Sequence, residues 1–177
     1  MRRWIVLVLG LCLAACGQGG SPGVQAALPD TIGVTSSAFA EGAPIPRRFT
    51  CAGQDTAPPL AWSGVPRDAT QLALVVDDPD APGGTYVHWV LFRLDPGLSG
   101  LDQGRLPPGA RQARNSAGEA GYTGPCPPGG PAHHYRFTLY ALSQQLDLSD
   151  GARLDAALEA IGQAAIAQGR LTGVFAR

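Results

Sequence analysis

The sequence predicts a mainly β protein: an antiparallel, sandwich-like domain with one late, peripheral helix. Of 177 residues, 24 are Gly and 16 are Pro while only 15% are charged, a composition suited to short strands joined by many turns rather than to a helical bundle. The apolar segments are brief, rich in β-branched and aromatic residues, and bounded by Gly and Pro. Turns rather than helices separate them, so neighbouring strands are expected to run antiparallel. The length suits a single core, assigned to residues 31–177.

Taken in order, "MRRWIVLVLGLCLAAC" carries two arginines, an apolar stretch from Trp4 to Leu13 and small residues up to Cys16, the layout of a secretory signal over residues 1–15. The apolar part is too short for a stable bilayer-crossing helix of ~20 residues. "LAAC" resembles the lipobox of bacterial lipoproteins, which implies cleavage before Cys16 and lipidation of its thiol, palmitate included; an ordinary signal peptide cut nearby is the alternative. Gly17 after the cysteine favours, by analogy, the outer membrane facing the periplasm. Residues 16–30 are small and poor in apolar bulk and read as a flexible tether. Strands follow at "IGVTSSAF" (32–39), "QLALVVDD" (71–78), "YVHWVLFRL" (86–94) and "HHYRFTLYAL" (133–142). In "GARLDAALEAIGQAAIAQG", Leu154, Leu158, Ile161 and Ala165 fall at helical spacing, with Ser149 or Asp150 to cap the start and Gly169 to end it. "RLTGVF" reads as a terminal strand.

The 13 basic residues are all arginine, against 14 acidic ones, for a formal charge of −1. No basic patch points to nucleic acid. Loss of Arg2 and Arg3 with the signal leaves 11 basic residues against 14 acidic, about −3, so anionic lipid is not attracted by net charge. Cys51 and Cys126 are left in an oxidising compartment, where a lone pair is read more readily as a disulfide than as a redox or metal site.

Candidate chemistry gathers in two segments. In "DDPDAPGGTYVHW", Asp77, Asp78 and Asp80 are interleaved with Pro79 and Pro82, and the next strand brings His88; "GPCPPGGPAHHYRFTLYAL" brings His133 and His134. All three histidines lie in these segments. Strand alternation places Tyr86, His88 and Val90 on one face with Val87 and Trp89 on the other, and His133, Tyr135 and Phe137 opposite His134 and Arg136. Such strands form the rim of a shallow pocket over a core. The prolines reduce the freedom a loop loses on ordering, and free glycine N–H groups beside histidine suit phosphate or carboxylate. Each feature also has an ordinary structural reading, as a Gly/Pro turn, a hydrogen-bonded boundary histidine or an Asp turn residue.

"VVDDPDAP" with "YVHWVLF", "GYTGPCPPGGPAHHYRFTLYAL" and "FTCAGQDTAPPLAWSGVP" resemble the phosphatidylethanolamine-binding protein (PEBP) family, in particular its bacterial Raf-kinase-inhibitor-like branch, over about residues 32 to 176. The resemblance implies an antiparallel β-sandwich-like fold with Greek-key connections and peripheral helices, and a pocket for phosphate-like and other small anions. Carried over residue by residue, it implies that Asp78, Pro82, His88, His133 and Tyr135 bind ligand, and that the loop from Gly124 to Pro127, with Gly124, Pro125 and Pro127 at the ligand, supplies wall and, from its non-proline residues, backbone donors. It also implies a cis peptide at Ala81–Pro82. The chain departs from the family's P-H-R-Y at Pro131-Ala132-His133-His134-Tyr135, and "ARNSAGEAGY" lacks the acidic residue often found after the asparagine.

The reading is of a lipid-anchored binding protein in the bacterial cell envelope, its partners a small anion or phospholipid head group and, through the anchor, the membrane. An inhibitor or regulator of a partner kinase or protease is the alternative; that partner, and a second copy of the chain as a homodimer, are left open. Catalysis is disfavoured: Asp78, His88 and His133 could ligate zinc or run acid–base chemistry, yet no H-E-x-x-H, G-x-S-x-G or Walker loop accompanies them. No catalytic residue, metal site or cofactor is assigned.

Overall fold

The computed structural model describes residues 28–177. The predicted signal peptide, the lipidation site at Cys16 and most of the predicted tether lie outside the described residues. Eight strands and one α-helix follow in the order β1 (Gly33–Thr35), β2 (Leu60–Ser63), β3 (Gln71–Asp78), β4 (Tyr86–Leu94), β5 (Gly100–Leu101), β6 (Arg111–Ala113), β7 (His133–Leu142), α1 (Leu154–Ala164) and β8 (Ala165–Phe175). A three-stranded sheet, β1-β2-β5, faces a five-stranded sheet, β6-β4-β3-β7-β8, and the paired strands are antiparallel. Among the described residues no helix is long and apolar enough to cross a membrane.

The larger sheet is buried on both faces, which is why β3 reads as a nearly continuous apolar run. One face, with Leu72, Leu74, Val76, Phe137 and Leu139, packs on Val34, Leu60, Trp62 and Leu101 of the smaller sheet. The other, with Ala73, Val75, Val90 and Phe92, is covered by Ala157, Ile161 and Ala164 of α1. Antiparallel order sets the end of β3 beside the beginnings of β4 and β7, through the pairs Asp78↔Tyr86 and Asp77↔Arg136. All the strand-borne candidate residues therefore reach one end of the sandwich.

Several expectations are corrected. Of the strand expected over 32–39, only Gly33–Thr35 pairs, because Ser36 turns its hydroxyl to the Pro59 carbonyl instead of continuing the ladder. The helix ends at Ala164 rather than at Gly169, and the last strand begins at Ala165 rather than Arg170. Pairing with β7 along its whole length, from Leu142↔Ala165 to His133↔Phe175, outweighs the helical propensity of "AIAQ". Gly169 is needed for close approach: a Cβ there would lie 2.6 Å from the Ile32 carbonyl carbon. Neither Ser149 nor Asp150 caps the helix. Arg153 holds the N-cap position without a side-chain bond to the first-turn N–H groups, and Asp150 Oδ1 accepts the Gln112 N–H at 2.8 Å instead. The helix buries Ala157, Ile161 and Ala164, leaving Leu154 and Leu158 partly covered.

The strand faces of β4 also differ from simple alternation. The β3–β4 register shifts between Val76↔Trp89 and Asp77↔Val87, leaving His88 as the extra residue of a β-bulge. Trp89 consequently joins the core between the sheets while Val90 joins Val87 on the helix side. The Ala81–Pro82 peptide is trans, like every peptide bond among the described residues. Its turn closes through the Gly84 N–H on the Ala81 carbonyl at 3.0 Å, with Gly84 at φ +99°.

Candidate functional site

Each strand end at this corner of the sandwich delivers one polar group. Asp78, the last residue of β3, is buried. Its Oδ1 accepts the Asp80 N–H and its Oδ2 accepts His133 Nδ1–H, both at 2.8 Å. The first bond is a short side-chain turn that fixes the Asp78-Pro79-Asp80 corner; the second sets the plane of the His133 ring. On β4 the bulge turns His88 to the same corner, where Nδ1–H donates to the Thr123 carbonyl at 2.7 Å. A carbonyl only accepts, so in neutral His88 the proton sits on Nδ1. Among the described residues the Nε2 atoms of both rings have no hydrogen-bond partner.

These groups surround a cavity of about 270 Å³. Its walls include Asp78, Pro82, His88, Gly124, Pro127, His133 and Tyr135 from the sequence reading. Pro125 is off the wall, because its carbonyl is drawn to the Cys51 N–H at 3.1 Å and faces the 49–55 loop. Ala81, Tyr86, Thr123, Cys126 and Pro128 complete the lining. Tyr86 and Tyr135 flank His88, with ring centroids at 4.9 and 5.3 Å. Burial lowers the His88 pKa below the usual imidazole value, opposed by the bond to Thr123 and by Asp78. Burial, then the Asp78 charge, raises Tyr135 above the ordinary phenol range. Among the described residues its buried hydroxyl has no hydrogen-bond partner.

The Thr123 carbonyl depends on a residue the sequence reading passed over. Asn115 is buried: its Nδ2 donates to Thr123 Oγ1 at 2.9 Å, and its Oδ1 accepts the N–H groups of Ala117 and Glu119 at 2.9 and 3.1 Å. A buried Asn binding local backbone organises a loop, and here that loop holds His88. The signal lay in the Asn-Ser-Ala-Gly pattern at 115–118, a turn-former followed by Gly118 at φ +84°.

His134 points away from the cavity. It is exposed, and its N–H and Nδ1–H both donate to Asp80 Oδ2, at 2.8 and 2.7 Å. The His134 bonds, backbone first, lower the Asp80 pKa. Arg136 forms a two-bond pair with Asp77 at 2.7 and 2.6 Å. Three parallel pairs, Asp77–Arg136, Asp78–His133 and Asp80–His134, thus join the end of β3 to the start of β7; only the middle one faces the cavity. The Cys51–Cys126 disulfide is present, with a Cα separation of 5.4 Å, and fastens the 124–127 wall to the 51–55 loop. Among the described residues no group of three or more His, Cys, Asp or Glu side chains is placed to hold a metal ion.

The family model described as "PBP: Phosphatidylethanolamine-binding protein" matches residues 35–176. A Mycobacterium tuberculosis protein named "Putative lipoprotein LppC" is 46% identical over 186 residues, covering 96% of this chain and 92% of its own length. A "UPF0098 protein" of Methanothermobacter thermautotrophicus is 46% identical over 145 residues, covering 79% of this chain and 95% of its own. Among solved structures, E. coli YbcL, described as a new member of the mammalian PEBP family, aligns with a TM-score of 0.79 at 31% identity, covering 83% of this chain and 99% of YbcL.

Proposed function

Since this chain belongs to the phosphatidylethanolamine-binding protein family, we propose that it is a binding protein whose histidine cavity takes a small anion, phosphate or the phosphate of a phospholipid head group. The observation that carries this is the pairing of His88 and His133: each ring spends Nδ1 on a fixed acceptor, which leaves Nε2 for a ligand. A volume of about 270 Å³ is below the usual range for drug-sized ligands, which suits a head group rather than a whole lipid. The name of LppC and the "LAAC" sequence at Cys16 support a lipid-anchored protein of the bacterial cell envelope, and Gly17 supports the outer membrane facing the periplasm. Regulation of a partner enzyme would rest on family names alone, and no residue described above carries it.

The tautomers fix how binding responds to pH. With Nδ1 protonated, a neutral ring presents Nε2 as an acceptor, so it meets an oxyanion well only after gaining a proton or when the ligand itself donates one. Phosphate and phosphoethanolamine are therefore expected to bind progressively less well as pH rises through the histidine range. Calorimetric titration from pH 5.5 to 8 checks this. Equal affinity in wild type and His133→Ala, or affinity independent of pH, would overturn the reading.

A further inference from the structure

The Cys51–Cys126 disulfide stands where two cavities meet. Cys126 lines the histidine cavity, and together with Cys51 it also lines a second cavity of about 510 Å³ flanked by Arg47, Phe175 and Arg177. Both cysteines are exposed. Among the described residues no acidic side chain lines this second cavity. The Arg177 Nη1–H group points at Cys126 Sγ, 3.6 Å away, and the Arg47 guanidinium has one long bond, to the Ala52 carbonyl at 3.4 Å. Among the described residues most of the donors of both guanidiniums therefore have no partner.

The wall of the histidine cavity is secured in two different ways. Up to Pro125 it is tied non-covalently to the 49–55 loop: the Tyr122 hydroxyl donates to the Phe49 carbonyl at 2.8 Å, the Gly124 N–H to Asp55 Oδ1 at 2.6 Å, and the Cys51 N–H to the Pro125 carbonyl at 3.1 Å. From Cys126 to Ala132 the only hydrogen-bond or covalent ties among the described residues are the disulfide and the Arg177 contact. Pro127 and Pro128 of the cavity wall lie in that stretch.

We propose that the Cys51–Cys126 disulfide is a thiol-exchange site, that the arginine-flanked cavity docks an anionic dithiol, and that reduction there releases the Cys126–Ala132 wall of the histidine cavity. An exposed disulfide is open to in-line attack by a thiolate. One thiolate of the dithiol bonds to Cys51 Sγ; the S–S bond breaks, and its electron pair leaves on Cys126 Sγ as a thiolate beside Arg177. A neighbouring cation lowers a thiol pKa and so favours that sulfur as leaving group. The second thiolate of the reagent then attacks the reagent sulfur of the mixed disulfide, closing a cyclic disulfide and expelling the Cys51 thiolate. The dithiol is oxidised by two electrons, the cystine is reduced by two, and the two protons of the dithiol end on the cysteines or in water.

The effect on anion binding rests on the proposed function above, whereas the exchange chemistry and the wall's release do not. Purified protein is treated with 6,8-dimercaptooctanoate, an anionic 1,3-dithiol that closes to a five-membered cyclic disulfide, or with neutral dithiothreitol, and Cys51 and Cys126 thiols are followed by alkylation and peptide mass mapping. The dimercaptooctanoate-to-dithiothreitol rate ratio is expected to fall about five-fold in Arg47→Ala/Arg177→Ala, the scale of a charge pair near a protein surface, and to be kept in Arg177→Lys. Equal ratios in all three proteins would overturn the docking site. Heteronuclear ¹⁵N NOE values at Gly129, Gly130 and Ala132 should drop on reduction and in Cys51→Ser/Cys126→Ser, while Thr123 and Gly124 stay rigid; unchanged values at Gly129 and Gly130 would overturn the release. Phosphate affinity should weaken several-fold on reduction. Failure of both redox forms to bind phosphate would refute the anion reading, with the rates and NOE values still deciding this proposal.

Discussion

Replacing Asp78 by Asn should reverse the tautomer of His133 and thereby change how the cavity responds to pH. The carboxylate accepts two bonds, from the Asp80 N–H and from His133 Nδ1–H, in a buried position. An Asn oxygen can keep the Asp80 bond, but its amide nitrogen then faces His133 Nδ1 and can donate only if that atom gives up its proton. The proton moves to Nε2, and both hydrogen bonds survive as neutral ones. A bond to a charged group contributes ~1.5–3 kcal/mol and a neutral one ~0.5–1.5, so the variant should lose about 1–3 kcal/mol across the pair. At roughly 2–4 °C per kcal/mol for a domain of this size, Tm should fall by about 2–12 °C. Nε2–H is now a ready donor to an oxyanion, and the negative charge behind the ring is gone. Phosphate binding in Asp78→Asn should therefore depend on pH more shallowly than in wild type and exceed wild type at pH 8. Calorimetry from pH 5.5 to 8 measures the affinities, and long-range ¹H–¹⁵N imidazole spectra identify the tautomer. Retention of the wild-type slope, or of protonated Nδ1 on His133, would refute the reasoning.

Two further predictions concern stability. Gly169→Ala places a methyl group against the Ile32 carbonyl, a backbone obstacle that cannot rotate away, so urea unfolding should show a loss of about 1–3 kcal/mol or more; a neutral result would mean that the N-terminal segment does not cross β8 there. For His88, burial holds the folded-state pKa below its unfolded value, so the unfolded chain binds the extra proton. The stability this contributes is complete above the unfolded pKa of about 6.5 and is lost as pH falls toward the folded value, by at most about 1.4 kcal/mol per pH unit. Unfolding free energies between pH 7.5 and 5 should show this slope in wild type and lose it in His88→Gln; parallel curves would contradict it.

The strands legible in the sequence are those whose side chains are buried on both faces. Gln71–Asp78, Tyr86–Leu94 and His133–Leu142 occupy the spans their apolar runs suggested, because a strand covered on both faces must be apolar nearly throughout. The three short strands β2, β5 and β6 were not legible. Gly100–Leu101 and Arg111–Ala113 are too brief to carry a period, and their pairing is imposed by neighbours. The limit of α1 was illegible for a related reason: "AIAQ" suits a helix locally, and only the distant β7 edge makes a strand of it. In the site, pattern and resemblance together reached Asp78, His88 and His133 because they stand at strand ends. They missed Asn115 and Thr123, which act through loop hydrogen bonds that leave no periodic trace. The expected cis bond at Pro82 came from resemblance alone, and this turn closes without it.

The bulge at His88 works as a phase shifter between two reading frames. Upstream of it, Tyr86 and Val87 are assigned to faces by their pairing with Asp78 and Asp77; downstream, Trp89 to Phe92 are assigned by the core. A strand without the extra residue would couple these frames, and any change that turned His88 toward the cavity would also turn Trp89 out of the space between the sheets. With the bulge the two are set independently, so the site end of β4 can vary in sequence while the rest of the strand keeps its packing. Deleting His88 would join the two frames without shifting either, since Val87 and Trp89 already oppose the successive residues Asp77 and Val76, so the strand would keep its packing and lose only the histidine.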